Sequence, residues 1–274
     1  MALGAVAGLA ILVLRGWKTP PVSGGWPVNI GHRGASVRFP ENTLRSFRAA
    51  VEAGAGGLEL DVRLTRDRHP VVMHDPTVDR TTDGSGAVAG MTLADVRRLD
   101  AGGSGRPDER VPTLREVLAA FPDAQTNIDI KDERVPGVDA VVLGVVREAG
   151  AMGRVLVVSA HHRVLRRFRR LDRGDCDTGA SRLEIGVFYG LSLLRLERLL
   201  RPAFAALQVP VNYGSLRIIT PRFVQAAHSR GVRVDAWTIN DPEQMRVLLD
   251  LGVDSVMTDD PETLAKVLEG RTLG

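Results

Sequence analysis

From residue 28 onward the chain repeats one unit: a short apolar run, a turn, a stretch with apolar residues at helical spacing, then glycine or proline. The apolar runs at 28–31, 57–62, 126–130, 155–159, 176–180, 205–209, 232–238 and 254–258 predict strands. Segments at 42–53, 137–149, 161–171, 183–200, 221–229, 241–250 and 261–268 predict the helices that follow them. Asn42, Thr220 with Pro221, Asn240-Asp241-Pro242 and Asp260 with Pro261 read as helix starts. Gly54, Gly150, Gly231 and Gly252 read as helix ends. Strict alternation of strand and helix demands parallel strands with crossover helices. Eight such units closing on themselves make an α/β fold, the (β/α)8 or TIM barrel, whose usual size is about 250 residues.

Three stretches depart from the repeat. Residues 70–74 look like a strand, yet they follow Val62 too closely for a helical crossover. A hairpin turning near Asp67 and Arg68 fits, and it returns His74 toward Asp61. Residues 76–122 then form a small insertion after the second strand, with a glycine-rich loop and short helices near 92–99 and 113–120. Residues 183–200 are apolar for an outer barrel helix, which suits a helix packed on the barrel or one dipping into a membrane interface.

At the other end, residues 2–14 are uninterrupted apolar and are followed by Arg15 and Lys18. Thirteen residues of helix reach only about 20 Å, short of a bilayer core of about 30 Å. Their length is that of a signal-peptide core, although no basic residue precedes them. The expectation is a membrane anchor or uncleaved signal, then a linker at 17–27, with 28–274 as the barrel domain. The chain is accordingly expected to be membrane-associated; a secreted or cytoplasmic protein is the alternative.

Composition narrows the partners. The 274 residues are 44% hydrophobic and 25% charged, enough apolar material for one sizeable core. A net charge of +3 with dispersed arginines and only 4% aromatics argues against nucleic acid. It suits an anionic small molecule or a membrane surface. The single cysteine, Cys176, excludes an internal disulfide and a multi-cysteine zinc site. No motif surrounds it, so it reads as a small buried residue.

In such barrels the reactive residues stand where strands end. His32 and Arg33 end the first strand, Glu59 and Asp61 the second, Asp129 and Lys131 the third, Trp237 the seventh, and Thr258 and Asp259 the eighth. Glu59 and Asp61 alternate, so a strand turns both to one face. With Asp129 they offer three oxygen donors, suited to a hard divalent cation such as Mg2+ or Ca2+. Ion pairs with Arg33 or Lys131 are the plainer reading of the same carboxylates. His32 and His74 can divide acid and base duty near neutral pH. Arg33 can grip a phosphate with its planar fork, Lys131 can add charge at the same oxygens, and Gly34 permits close backbone approach. Glu41 either touches the site or ties the loop, and Asn42 is expected to cap the helix.

The combination H-R-G-A-S-V-R-F-P-E-N-T at 32–43, L-E-L-D-V-R-L-T-R-D at 58–67 and P-V-V-M-H-D at 70–75 resembles the glycerophosphodiester phosphodiesterase family. V-D-A-W-T-I-N-D-P and G-V-D-S-V-M-T-D-D-P near the end look like its last two strand ends, so the resemblance spans about residues 28 to 268. It implies a (β/α)8 barrel with an insertion after strand two, and metal-dependent hydrolysis of glycerophosphodiesters to glycerol 3-phosphate and an alcohol. By resemblance, His32 and His74 match the catalytic histidines, Glu59 and Asp61 the metal ligands, and Arg33 the phosphate contact. Lys131, Trp237 and Glu41 are further candidates for substrate binding. The family's third ligand is usually a glutamate in E-I-K; here it is Asp129 in D-I-K, one methylene shorter.

The expected mechanism is attack by the substrate's glycerol 2-hydroxyl, with His32 as base and His74 as acid. The alternatives are a lysophospholipase D-type activity on lysophospholipids, a non-catalytic membrane-linked barrel, and a metal-dependent lyase or aldolase using Lys131. Nothing in the sequence fixes the oligomeric state.

Overall fold

The computed structural model describes residues 28–102, 109–132 and 135–272. The elements run β1 (Asn29–His32), α1 (Leu44–Glu52), β2 (Gly57–Leu64), β3 (Pro70–Val72), α2 (Leu93–Val96), α3 (Leu114–Ala120), β4 (Gln125–Ile130), α4 (Val138–Glu148) and β5 (Val155–Val158). There follow α5 (His162–Asp172), β6 (Asp177–Thr178), α6 (Arg182–Leu193), β7 (Ala206–Val209), β8 (Asn212–Tyr213), β9 (Leu216–Arg217), α7 (Pro221–His228), β10 (Arg233–Ala236), α8 (Pro242–Asp250), β11 (Ser255–Thr258) and α9 (Pro261–Thr272).

Eight strands lie side by side in the order β6-β5-β4-β2-β1-β11-β10-β7. Every neighbouring pair is parallel. A parallel bridge from Gly179 to Ala206 joins the two ends and closes the barrel. The fold is the expected (β/α)8 type. The hairpin is also present: β3 runs antiparallel to β2 with Val62 opposite Val72, and the Met73 amide donates to the Asp61 carbonyl at 2.9 Å.

Period-two alternation explains both faces of the wall. In β2, Leu58, Leu60, Val62 and Leu64 are fully buried in the layer under the helices, together with Phe47 of α1 and Ile128 and Ile130 of β4. A second layer built on Phe188, Phe204, Phe223 and Val234 serves the other half of the barrel. Gly31 lets α1 come close, since a side chain there would stand 2.8 Å from the Ala50 methyl. The alternate residues, Glu59 and Asp61 in β2 and Asn127 and Asp129 in β4, are polar, as are Gln208 and Asp235. Asn127 donates to Gln208 at 3.1 Å, and Gln208 donates to Asp235 at 3.2 Å. The barrel interior is therefore a polar stack beneath the strand ends. Beside it, apolar residues of β5 and β7 (Leu156, Val158, Ala206) form a separate small buried cluster.

The insertion has its own small core of Val71, Met73, Val78, Val88, Val96, Ala101 and Val111. It sits against the β2–β3 hairpin, close to the strand ends.

Several expectations need correction. The cap of α1 is Thr43, whose hydroxyl accepts from the Ser46 amide at 3.1 Å, and not Asn42. Asn42 takes a left-handed conformation (φ 60), one that asparagine tolerates, and so turns its amide inward to Asp61. The expected strand at 176–180 is only two residues long, Asp177–Thr178. The expected helix at 183–200 stops at Leu193, with Arg195 left-handed (φ 59) and a separate 3-10 turn at Glu197–Leu199. Its Phe188 packs edge-on against Phe223 at 5.6 Å, so this helix is a barrel helix. Cys176 is buried, as expected.

The expected membrane association is also corrected: among the described residues no helix is long and apolar enough to cross a membrane. The segment at 2–14 that suggested it, and the linker at 17–27, lie outside the described residues.

The polar stack generates a stability prediction. Asp235 is fully buried, and burial pushes its carboxyl above the ordinary range against the opposing pull of Arg233 and Gln208. Its folded-state pKa lies above the unfolded value, so the unfolded state releases this proton first as pH rises. Its contribution is fully present at low pH and falls as pH climbs through the folded value. Asp235→Asn does not titrate. Its melting temperature should exceed the wild-type value by a margin that widens by a few degrees between about pH 4 and about pH 8. Calorimetry across that range checks it; a constant or shrinking margin contradicts the reading.

Candidate active site

The strand register brings the candidate residues together. His32 lies beside Glu59 across β1 and β2, Asp61 lies beside Asp129 across β2 and β4, and Gly31 lies beside Thr258 across β1 and β11. Five polar side chains from four consecutive strand ends thus face one rim.

After β1 the chain reverses sharply. Arg33 (φ 57) and Gly34 (φ 92) are both left-handed, and the Arg33 amide donates to the Glu59 carbonyl at 3.0 Å and to Glu59 Oε2 at 3.1 Å. Gly34 is required twice over, by its dihedral and by space: a Cβ there would stand 2.3 Å from Ser46 Oγ and 2.6 Å from its carbonyl carbon. The turn aims the Arg33 guanidinium between two acids, with Nε 3.2 Å from Asp61 Oδ2 and Nη1 donating to Glu41 Oε1 at 3.0 Å.

Glu59, Asp61 and Asp129 each offer an oxygen within 4.8 Å of the others. Glu59 and Asp61 are buried. Lys131 Nζ lies 2.5 Å from Asp129 Oδ2 and 2.9 Å from Asp61 Oδ1, and Asn42 donates to Asp61 Oδ2 at 2.9 Å. Asp61 Oδ1, although at ion-pair distance from Lys131, lacks hydrogen-bond geometry, and Asp129 Oδ1 is buried without a partner.

The charge balance divides the two β2 acids. Burial and the neighbouring Asp61 push the Glu59 carboxyl up to about 7. Burial also opposes ionisation of Asp61, but Lys131 and Arg33 outweigh it and hold that carboxyl below the usual range. Burial disfavours the Lys131 charge, yet Asp129 and Asp61 hold the ammonium protonated. Three clustered carboxylates, one carrying an orphaned oxygen and one under-ionised, make an oxygen-only donor set that suits a hard divalent cation. Glu59, Asp61 and Asp129 are the residues that could hold it.

Two imidazoles flank this cluster, each braced by an aspartate. His32 Nδ1 lies 2.7 Å from Asp259 Oδ1, while its Nε2 is 4.0 Å from Glu59 Oε2. Burial disfavours the imidazolium, but Glu59 and Asp259 outweigh it and raise the His32 pKa. Asp259 also accepts from Ser36 at 2.9 Å and Asn240 at 2.7 Å. Against the effect of its burial, His32 and Asn240 hold its carboxyl down to about 2. His74 Nδ1 lies 2.7 Å from Asp75 Oδ1. An ionised carboxylate only accepts, so each Nδ1 carries the proton and each Nε2 is the exchangeable nitrogen.

Trp237 stands just past β10, 43% exposed, with its amide donating to the Val209 carbonyl at 3.3 Å. Among the described residues its side chain makes no hydrogen bond to the carboxylates, and it lies partly exposed beyond the strand end. Glu41, left open between site and loop, joins Arg33 on one side and Arg80 on the other. Sequence reasoning missed Asn42, Asp75, Arg80 and Asn240, and it placed Asp259 at a strand end without assigning it a partner. The signal for Asp259 was available: barrel closure sets the last strand beside the first.

The turn at Gly34 generates a test. Gly34→Ala introduces both a left-handed alanine and a clash with backbone, and should cost about 2–4 kcal/mol. For a chain of this size that is roughly 5–15 °C in melting temperature. A thermal unfolding curve within a degree of wild type would contradict the packing described here.

A model of the glycerophosphoryl diester phosphodiesterase family matches residues 32–263. The glycerophosphodiester phosphodiesterase of Caldanaerobacter subterraneus subsp. tengcongensis is 37% identical over 246 residues, covering 87% of this chain and 96% of that protein. Among solved structures, the glycerophosphodiester phosphodiesterase of Thermotoga maritima is 28% identical with a TM-score of 0.68, covering 88% of this chain and 97% of that one. An Oleispira antarctica phosphodiesterase, solved with the product sn-glycerol-3-phosphate, is 26% identical with a TM-score of 0.70, covering 88% of this chain and 96% of that one. With most of its length matched both in sequence and in barrel geometry, the chain belongs to the glycerophosphoryl diester phosphodiesterase family.

Proposed function

We propose that the chain hydrolyses glycerophosphodiesters to glycerol 3-phosphate and an alcohol, a step of phospholipid catabolism, and that it requires Mg2+ or Ca2+. Residues 28–274 are taken as the catalytic unit. The observation that carries this reading is the pair of aspartate-braced imidazoles set around a carboxylate triad with Arg33 and Lys131. Family membership and the product held by the Oleispira relative support the substrate class.

A divalent cation held by Glu59, Asp61 and Asp129 would polarise the phosphate oxygens as a Lewis acid. Arg33 grips the phosphate through its planar fork, and Lys131 adds a second positive charge at the same edge. Trp237 and Glu41 border the substrate, the first as an apolar wall and the second by holding Arg33. His32 Nε2 takes the proton of the glycerol 2-hydroxyl as that oxygen bonds to phosphorus. His74 Nε2 gives its proton to the alcohol oxygen as the bond from phosphorus to it breaks. Water then opens the cyclic phosphate with the roles reversed: His74 accepts the water proton and His32 returns one to the 2-oxygen. Asp259 and Asp75 stabilise each imidazolium in turn and keep each ring aligned.

Three measurements test this. His32→Ala and His74→Ala should each lower kcat for glycerophosphocholine by about 100- to 10,000-fold, with melting temperature little changed. Wild-type turnover in both variants would remove them from the chemistry. Release of glycerol 3-phosphate should stop in EDTA and return with Mg2+ or Ca2+; unchanged release in EDTA would overturn the cation requirement. A lack of release from glycerophosphocholine with any cation, alongside choline release from lysophosphatidylcholine, would move the substrate class to lysophospholipids.

A further inference from the structure

One guanidinium outside the carboxylate cluster touches both halves of the machinery. Arg80 belongs to the insertion after β2. Its Nε donates to Asp75 Oδ2 at 2.5 Å, its Nη1 to Glu41 Oε2 at 2.9 Å and its Nη2 to Glu41 Oε1 at 2.7 Å. Each acid is shared with a residue of the site: the other Asp75 oxygen holds His74 Nδ1, and Glu41 Oε1 also accepts from Arg33. The contacts form a continuous chain, Arg33–Glu41–Arg80–Asp75–His74.

The backbone delivers Arg80 to this position rigidly. Val78 is fully buried in the insertion's core. The Val78 amide donates to the Gly86 carbonyl at 3.0 Å, and the Thr82 amide donates back to the Val78 carbonyl at 3.1 Å, making a tight turn with Arg80 at its apex. The side chain of Arg80 is 49% exposed, and ion pairs in that setting contribute little to stability. What the arrangement does provide is direction. Asp75 is partly exposed and follows His74 in sequence, so without Arg80 its carboxylate is free to rotate toward solvent and leave the imidazole unbraced. The fork holds three donors in one plane, and a lysine ammonium cannot reach both acids in the same geometry.

We propose that Arg80 is a positioning residue of the reaction: through Asp75 it fixes the His74 ring, with Glu41 anchoring the guanidinium that does so. The insertion thereby sets the alignment of the proton donor. This rests on the reading of His74 as the donor to the leaving alcohol.

The test compares two leaving groups. Wild type, Arg80→Met, Arg80→Lys and His74→Ala are assayed on glycerophosphocholine and on the p-nitrophenyl ester of glycerol 3-phosphate, whose leaving group departs as an anion without a proton donor. His74→Ala should lose far more on the choline ester. Arg80→Met should share that bias, losing about 10- to 100-fold in kcat on the choline ester and less than about threefold on the nitrophenyl ester. Arg80→Lys should lose less but keep the bias. Guanidinium ion added to Arg80→Ala should restore turnover of the choline ester, which a merely structural role would not predict.

Equal losses on both esters for Arg80→Met, with His74→Ala still biased, would overturn the proposal and leave the function standing. An unbiased His74→Ala would overturn the donor reading and the proposal together. A wild type inactive on both esters would overturn the proposed function itself. If Arg80→Met unfolds at the assay temperature, Arg80→Lys and the guanidinium rescue carry the comparison.

Discussion

Burial of negative charge at adjacent strand ends is the constraint on which the rest of the site depends. Glu59 is 5% exposed and Asp61 is fully buried, with Asp129 beside them. Uncompensated, such charges are expensive, and leaving one partnerless typically costs about 3–5 kcal/mol. The surrounding chain is arranged to compensate them. Arg33 takes a left-handed turn that points its guanidinium back at Asp61, and Gly34 follows because nothing larger fits against Ser46. Lys131 sits two residues after Asp129 on the same face and reaches over to Asp61. Asn42 gives up a helix-capping position to bond Asp61. Even so the compensation is incomplete. Glu59 stays high, near 7, and Asp129 keeps an orphaned oxygen. A scaffold that assembles three acids and stops short of neutralising them has room for a further positive charge.

The two imidazoles show two ways to orient a ring. His32 depends on global topology: its brace, Asp259, is more than two hundred residues away and arrives only because β11 closes the barrel beside β1. His74 depends on a local pair, Asp75 next to it in sequence, and that pair is steadied from the insertion. Misfolding of the barrel's last strand would therefore disable one histidine, and loosening of the insertion would disable the other.

Much of this was legible before any coordinates. The alternation L-E-L-D-V in β2 places Glu59 and Asp61 on one face, and the repeat of strand and helix implies that Asp129 ends a neighbouring strand. The short gap between β2 and β3 forces a hairpin and so returns His74 to the carboxylates. What escaped is what depends on side-chain direction. Asn42 looked like a cap because asparagine favours caps; its alternative use, a left-handed residue turned inward, is a tertiary choice with no periodic signal. Arg80 sits just before the glycine-rich loop, with no motif to single it out, and the fold of the insertion's small core brings it to Glu41. The long helix expected at 183–200 failed for a related reason: its apolar run continues, but the left-handed Arg195 ends it, and backbone reversals at arginine leave no mark in composition.

Position 129, where the family resemblance leads to the expectation of glutamate, carries aspartate. Asp129 stands directly beside Asp61 in register, so strand spacing sets the distance between their backbones and side-chain length decides how their carboxylates meet. One Asp129 oxygen is taken by Lys131 at 2.5 Å, which draws the carboxylate toward the ammonium, and the other remains without a partner. With aspartate here, Glu59, Asp61 and Asp129 each offer an oxygen within 4.8 Å of the others. Aspartate at this position is thus compatible with three carboxylates held close together, one of them drawn to Lys131.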